Sequence, residues 1–251
     1  MIDSSQPKGG SVSTAVCRGR QWVRSRVSAW PLVYLPFARL RYRRVQNRIV
    51  EADTELVIEG FQRSGNTFAA AAFDMAQGRP IKTAHHLHSS AQVLEAVRLG
   101  VPVLLLIRDP KDSVISHVIR EPCVTMRQSI GAWTHFYERL LPVVDRVLVA
   151  DFSRVSTDFG AVIRDFNVRY GTGYKEFDHT EENVARCFDA IEERNRARFG
   201  TLVEGKVARP SQERSARKAE LLAQFEAPAL APLREHAFEV YRAFVAVSSE
   251  S

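Results

Sequence analysis

The 251 residues hold only three cysteines, Cys17, Cys123 and Cys187, and none belongs to a CxxC pair. Their wide spacing predicts neither a zinc ribbon nor a disulfide framework and points to a reducing compartment. Acidic residues are nearly missing from the start of the chain: residues 1–50 carry ten Lys/Arg against one acid, Asp3. The rest of the chain carries 25 Lys/Arg against 28 acids, so the basic character belongs to the N-terminal segment. That removes the main support for nucleic-acid binding by the body of the protein. No apolar run reaches the roughly 18 residues of a membrane span. The nearest, residues 27–38 (VSAWPLVYLPFA), is broken by Pro31 and Pro36 and runs into RLRYRR, not into a small-residue cleavage site, which argues against a secretory signal. There is no internal repeat.

What is present is ordinary globular composition, 45% hydrophobic and 25% charged. The length suits a single domain over residues 51–251, preceded by a basic N-terminal extension over residues 1–50. Residues 1–20 are rich in Ser, Gly, Lys and Arg and are expected to be disordered. Residues 21–50 mix aromatics with arginines and admit two readings. One is a basic arm or helix packed on the domain. The other is a peripheral membrane contact, with Trp22, Trp30, Tyr34 and Phe37 in the headgroup zone and arginines on anionic lipid.

From residue 55 the pattern alternates. Residues 56–61 (LVIEGF) read as a strand running into a QRSGN loop, with an Ala-rich helix over 67–77. A helix over 91–99 closes at Gly100, and residues 101–107 (VPVLLLI) read as a strand covered on both faces. A helix begins near Asp112, another spans 126–141, and residues 146–150 (RVLVA) form a third strand. The remainder is helical, with a loop near 199–213 and two final helices. The order predicts an α/β fold, a P-loop-like parallel sheet flanked by helices.

Residues 60–67 (GFQRSGNT) fit G-x-x-x-x-G-K-[ST] except that the lysine is Asn66. A glycine turn between strand and helix points N–H groups at an anion. Without the lysine, ordinary ATP use is disfavoured, and the loop's cation is Arg63. The second strand ends in Arg108-Asp-Pro-Lys-Asp, with Ser116 eight residues beyond Arg108. An arginine at the carboxyl edge of the sheet with a hydroxyl one or two turns into a helix suits a second, separate phosphate.

The pair GFQRSGNTF and LLLIRDPKDSVIS resembles the two signature loops of sulfotransferases that use 3′-phosphoadenosine 5′-phosphosulfate (PAPS), and VLVADFSRVSTDFGAVIRDF resembles that family's third-strand region. The resemblance covers roughly residues 55–225. It implies the sulfotransferase fold, PAPS as co-substrate and no metal. It places Arg63 against the leaving phosphate. Ser64, Gly65, Asn66 and Thr67 fall on the 5′-phosphate, Phe68 at the adenine, and Arg108 and Ser116 on the 3′-phosphate. The family's later glycine-rich motif is missing. Residues 206–218 hold its place, with Arg209 the first choice for a further 3′-phosphate contact and Arg214 the second.

His85, His86 and His88 lie between the two loops, too tightly spaced for a helical metal pair. A neutral imidazole can take the proton of an acceptor hydroxyl. The family's base precedes the 3′-phosphate arginine by 22 residues, which selects His86, with His88 second. The implied activity is transfer of a sulfuryl group from PAPS to a hydroxyl or amine on a small-molecule, glycan or lipid acceptor, in the cytoplasm or peripherally at a membrane. Asp151, after the third strand, reads as a structural or acceptor-side residue. The alternative is a nucleotide-binding protein or kinase with a degenerate loop. The acceptor and the oligomeric state are not legible.

Overall fold

The computed structural model describes residues 10–43, 45, 48–199 and 212–249. The chain opens with α1 (Gly10–Val27) and α2 (Pro31–Tyr42), then β1 (Leu56–Gly60), α3 (Asn66–Ala76) and β2 (Thr83–His85). Next come α4 (Ser90–Leu99), β3 (Val103–Ile107), α5 (Pro110–Arg120) and α6 (Met126–Glu138). The chain goes on through a 3-10 segment (Leu141–Arg146), β4 (Leu148–Asp151), α7 (Phe152–Thr157) and α8 (Phe159–Tyr170). It closes with α9 (Glu181–Phe199), α10 (Gln212–Glu226), a short 3-10 turn and α11 (Ala231–Ser249).

The four strands form one parallel sheet in the order β2-β1-β3-β4, flanked by helices. Three of them are the strands expected from sequence. The fourth, β2, lies inside IKTAHHLHSS. Three residues at the edge of a sheet are too few to show an alternating pattern, so the sequence carries no strand signal there.

Alternation sorts the strand residues onto two faces. Val57, Val103, Leu105, Ile107 and Val149 join a core with α4, α5, α6, α10 and α11. Leu56, Ile58, Leu104, Leu106, Leu148 and Ala150 join a second core with α3, α8 and α9. Helix boundaries follow local chemistry. Asp109 caps α5 by accepting the Lys111 and Asp112 N–H groups, with Pro110 at its first position. Thr125 and Gln128 form a capping box on α6. Gly100 ends α4 at φ 72°, donating to Ala96 and Val97.

Two expectations for the N-terminal segment need correction. Residues read as disordered through position 20 are helical from Gly10 onward, as part of α1. Cys17 of α1 is disulfide-bonded to Cys123, 106 residues away. Spacing along the chain says nothing about which helices cross in space, so the pair was invisible in the sequence. The bond also removes cysteine usage as a ground for a reducing compartment. Cys187 is free and buried. The buried side of α2 (Tyr34, Leu35, Ala38) packs on Leu87 and Ala91.

Candidate functional site

β1 pairs with β2 on one side and β3 on the other, with Ile58 opposite His85 and Gly60 opposite Leu106. The strand order reverses at β1, and ligands of open parallel sheets bind beyond the carboxyl ends at such a point. Three segments far apart in sequence therefore meet at one edge: the loop after β1, the histidines after β2, and Arg108 after β3.

The loop after β1 turns through two left-handed residues, Arg63 at φ 72° and Gly65 at φ 92°. Gly65 is the N-cap of α3, and no side chain caps it. The first N–H groups of α3, those of Asn66, Thr67 and Phe68, have no acceptor within the helix and face outward at its positive end. Inside the loop, the Asn66 amide donates to the Phe61 carbonyl at 3.0 Å. The side chain that replaces the P-loop lysine thus closes the turn and offers no charge. Tyr137 donates to Leu106 O (2.8 Å) and accepts from Phe61 N (3.1 Å). Its one hydroxyl proton being used, the Ser64 hydroxyl 3.2 Å away must donate to it.

Arg108 spans the crevice between β1 and β3. Its Nη1 donates to the Arg63 carbonyl at 3.1 Å, and its guanidinium stacks 4.1 Å from the centre of the Phe152 ring. Burial lowers its pKa, opposed by Asp112, Asp109 and Asp151. Its Nε is buried with no hydrogen-bond partner among the described residues. An unmet, desolvated donor on a guanidinium fits an anionic ligand. Arg63 reaches across to the same region, donating from Nε to Ser116 Oγ at 2.9 Å.

The histidine segment is held by a residue that sequence reasoning missed. Glu59 of β1 is fully buried. Its carboxylate accepts from Leu87 N at 2.7 Å, His88 N at 2.9 Å and Gln92 Nε2 at 3.1 Å. Burial pushes its pKa up to about 7 despite these donors and nearby Arg48. An acid inside the apolar run LVIEG was the available signal. The bonds fix a loop in which His86 and His88 both have positive φ, 63° and 51°, a backbone cost of about 1–3 kcal/mol each. Nδ1 of His88 lies 3.0 Å from the Gly60 carbonyl, which can only accept, so Nδ1 carries the proton. His86 Nε2 lies 3.1 Å from Thr67 Oγ1 at the start of α3, and its Nδ1 contacts His85 Nδ1. All partners are satisfied when Thr67 donates to Nε2 and His86 Nδ1–H faces His85, which leaves Nε2 as the proton-accepting atom. Burial, then His85, His88 and Arg48, hold His86 well below its usual pKa, and burial takes His88 to about 3. Both imidazoles are neutral at pH 7.

These groups border one cavity of about 370 Å³. Arg63, Gly65, Asn66, Thr67, Phe68, His86, His88 and Arg108, all singled out from sequence, line it together. So do Arg24 of α1, Arg48 and Arg120, which were not anticipated, while among the described residues the only acid on the wall is Glu121. Five arginines against one carboxylate suit a polyanion. Ser64 and Ser116 are not on the wall; their hydroxyls bond Tyr137 and Arg63. Phe68 also packs among Phe159, Phe177, His179 and Phe188. Asp151 caps α7 through Ser153 N and accepts from the Tyr241 hydroxyl at 2.7 Å, a structural role. Arg209 lies outside the described residues, and Arg214 falls in α10. Among the described residues, no group of three or more His, Cys, Asp or Glu could hold a metal ion.

No family model matches the chain, and no curated protein matches it. Among solved structures it is similar to mouse sulfotransferase SULT7A1 complexed with PAP, at 12% identity and a TM-score of 0.41, over 76% of this chain and 90% of that one. A likeness so distant carries no argument about chemistry, which rests on the residues described above.

Proposed function

We propose that this protein transfers the sulfuryl group of PAPS to a hydroxyl or amine acceptor in the cleft beyond β1 and β3. The observation that carries the reading is the buried Nε of Arg108, which has no partner among the described residues, beside the uncapped N-terminus of α3. Both border one cavity, and a nucleotide phosphorylated at both 3′ and 5′ positions offers an anion to each. The α3 N–H groups and Arg63 take the 5′-phosphosulfate, and Arg108 takes the 3′-phosphate.

In this reading His86 Nε2 removes the acceptor proton as the acceptor oxygen or nitrogen bonds to sulfur. The bond between sulfur and the bridging oxygen breaks, and its electron pair stays on the 5′-phosphate. Arg63 and the loop N–H groups stabilise that developing charge, and they are oriented before the reaction begins. His86 suits the base because its accepting nitrogen faces Thr67, at the N-terminus of α3 where the reacting group would sit. The kinase alternative needs a cation where Asn66 is tied to Phe61.

The deciding experiment is thermal denaturation with adenosine 3′,5′-bisphosphate, with ATP–Mg and without ligand, followed by labelled PAPS against a panel of phenol, sugar and lipid hydroxyls. Ligand stabilisation follows affinity. Selective stabilisation by the bisphosphate and label transfer are expected. Stabilisation by ATP–Mg alone overturns the reading.

A further inference from the structure

α2 is apolar on both sides, yet only one side is covered. Tyr34, Leu35 and Ala38 are buried against Leu87 and Ala91. On the outer side Leu32 is 93% exposed, Leu40 69%, and Val33 and Phe37 62% each. Trp30, just before the helix, and Trp22 on α1 are each 54% exposed. A helix apolar all round is normally buried all round. Scattered exposed apolar residues need no explanation, but a contiguous set along one helix does.

Within the segment that carries this surface the charge is of one sign. From Gly10 to Arg43 the chain has seven arginines and no acid. Arg39, Arg41 and Arg43, at the end of α2, are all exposed. Arg39 lies 3.9 Å from Glu95 of α4, and Arg41 stacks on Tyr42.

We propose that the outer face of α2, with Trp22 and Trp30, is a docking surface for an anionic lipid bilayer. Aliphatic and aromatic side chains would enter the boundary between headgroups and acyl chains, and the arginines would lie at the phosphate level. Charge complementarity selects this occupant. A second copy of the chain would bring one arginine-rich face against another. Leu32, Val33, Phe37 and Leu40 offer no hydrogen-bonding group to orient a protein partner, and acyl chains require none. Among the described residues no helix is long and apolar enough to cross a membrane, so the contact proposed is one along the surface.

The test is co-sedimentation of the full chain with vesicles of phosphatidylcholine alone and of phosphatidylcholine mixed with phosphatidylserine. Binding to the mixed vesicles, weak binding to the neutral ones and release by high salt are expected. Arg41→Ser and Arg43→Ser should each weaken partition about fivefold. The double variant F37Q/L40Q should weaken it at least tenfold, with circular dichroism checking that it remains folded. Trp133 is wholly buried, so a vesicle-induced blue shift in tryptophan emission reads Trp22 and Trp30. No pelleting with anionic vesicles overturns the proposal. So does binding that F37Q/L40Q leaves unchanged, or a dimer in analytical ultracentrifugation that F37Q/L40Q dissociates.

Discussion

Glu59 accepts the backbone N–H of His88 at 2.9 Å, and the same carboxylate takes that of Leu87 at 2.7 Å. A strand residue thereby sets the backbone of the loop that presents the histidines. In Glu59→Ala both donors lose their acceptor, at about 1–3 kcal/mol for each buried group left unsatisfied. Chemical denaturation should show that loss. Glu59→Gln keeps one carbonyl acceptor and should cost less. Equal stability of Glu59→Ala and wild type would show that the two bonds contribute nothing.

The pKa shifts predict how stability varies with pH. His85, His86, His88 and His117 are all lowered by burial, His85 to about 4 and His88 and His117 to about 3. Each takes up a proton on unfolding below about pH 6.5, so its contribution is present above that pH and is lost as pH falls. Glu59 acts in the opposite sense. Raised to about 7, it is protonated in the folded state and releases its proton on unfolding between about pH 4.5 and 7, so its contribution falls as pH rises. Four imidazoles outweigh one carboxyl, and the melting temperature should drop from pH 7 to pH 5. Against that background, wild type should gain on Glu59→Gln as pH falls through the same window. A melting temperature that rises on acidification would contradict the assignment.

Arg108→Ala should weaken binding of adenosine 3′,5′-bisphosphate by about 1.5–3 kcal/mol, the worth of a charge-assisted contact, and leave adenosine 5′-phosphosulfate nearly unaffected. Isothermal titration of the two ligands measures the difference. Equal losses would mean that Arg108 does not distinguish the 3′-phosphate.

His86→Ala should lower turnover by about 10²–10⁴ with little change in PAPS affinity, the usual worth of a general base. His88→Ala should lose less, because its ring bonds the Gly60 carbonyl and its backbone is the part held by Glu59. Steady-state kinetics of both variants separates them. A dead His88→Ala beside a normal His86→Ala would transfer the role to His88.

The Cys17–Cys123 bond joins α1, which carries Arg24 into the cavity, to the segment following Arg120 and Glu121 on the cavity wall. Cys17→Ser should cost about 2–4 kcal/mol, since the bond closes a long loop, and should weaken bisphosphate binding. An unchanged melting temperature under reductant would show that α1 docks without it. Truncation through residue 20 removes Cys17 and is expected to carry the same cost.

By itself the sequence determined the strand–loop–helix order and the residues of the candidate site: the RSGNT turn and Arg108 for anions, and the histidine cluster for the proton. Each is local, written in a few consecutive residues by periodicity, glycine and charge. Only the tertiary structure decided which of them share a cavity. The β2-β1-β3 order brings three strand ends together, and β2 itself was too short to read. Arg24 and Arg48 reach the cavity from the N-terminal segment through packing, for which no spacing rule exists. The hydroxyls of Ser64 and Ser116 turn to Tyr137 and Arg63 because those partners arrive from 73 and 53 residues away. Glu59 and the disulfide have the same origin. Burial and long-range pairing are properties of the assembled chain, and a linear pattern records neither.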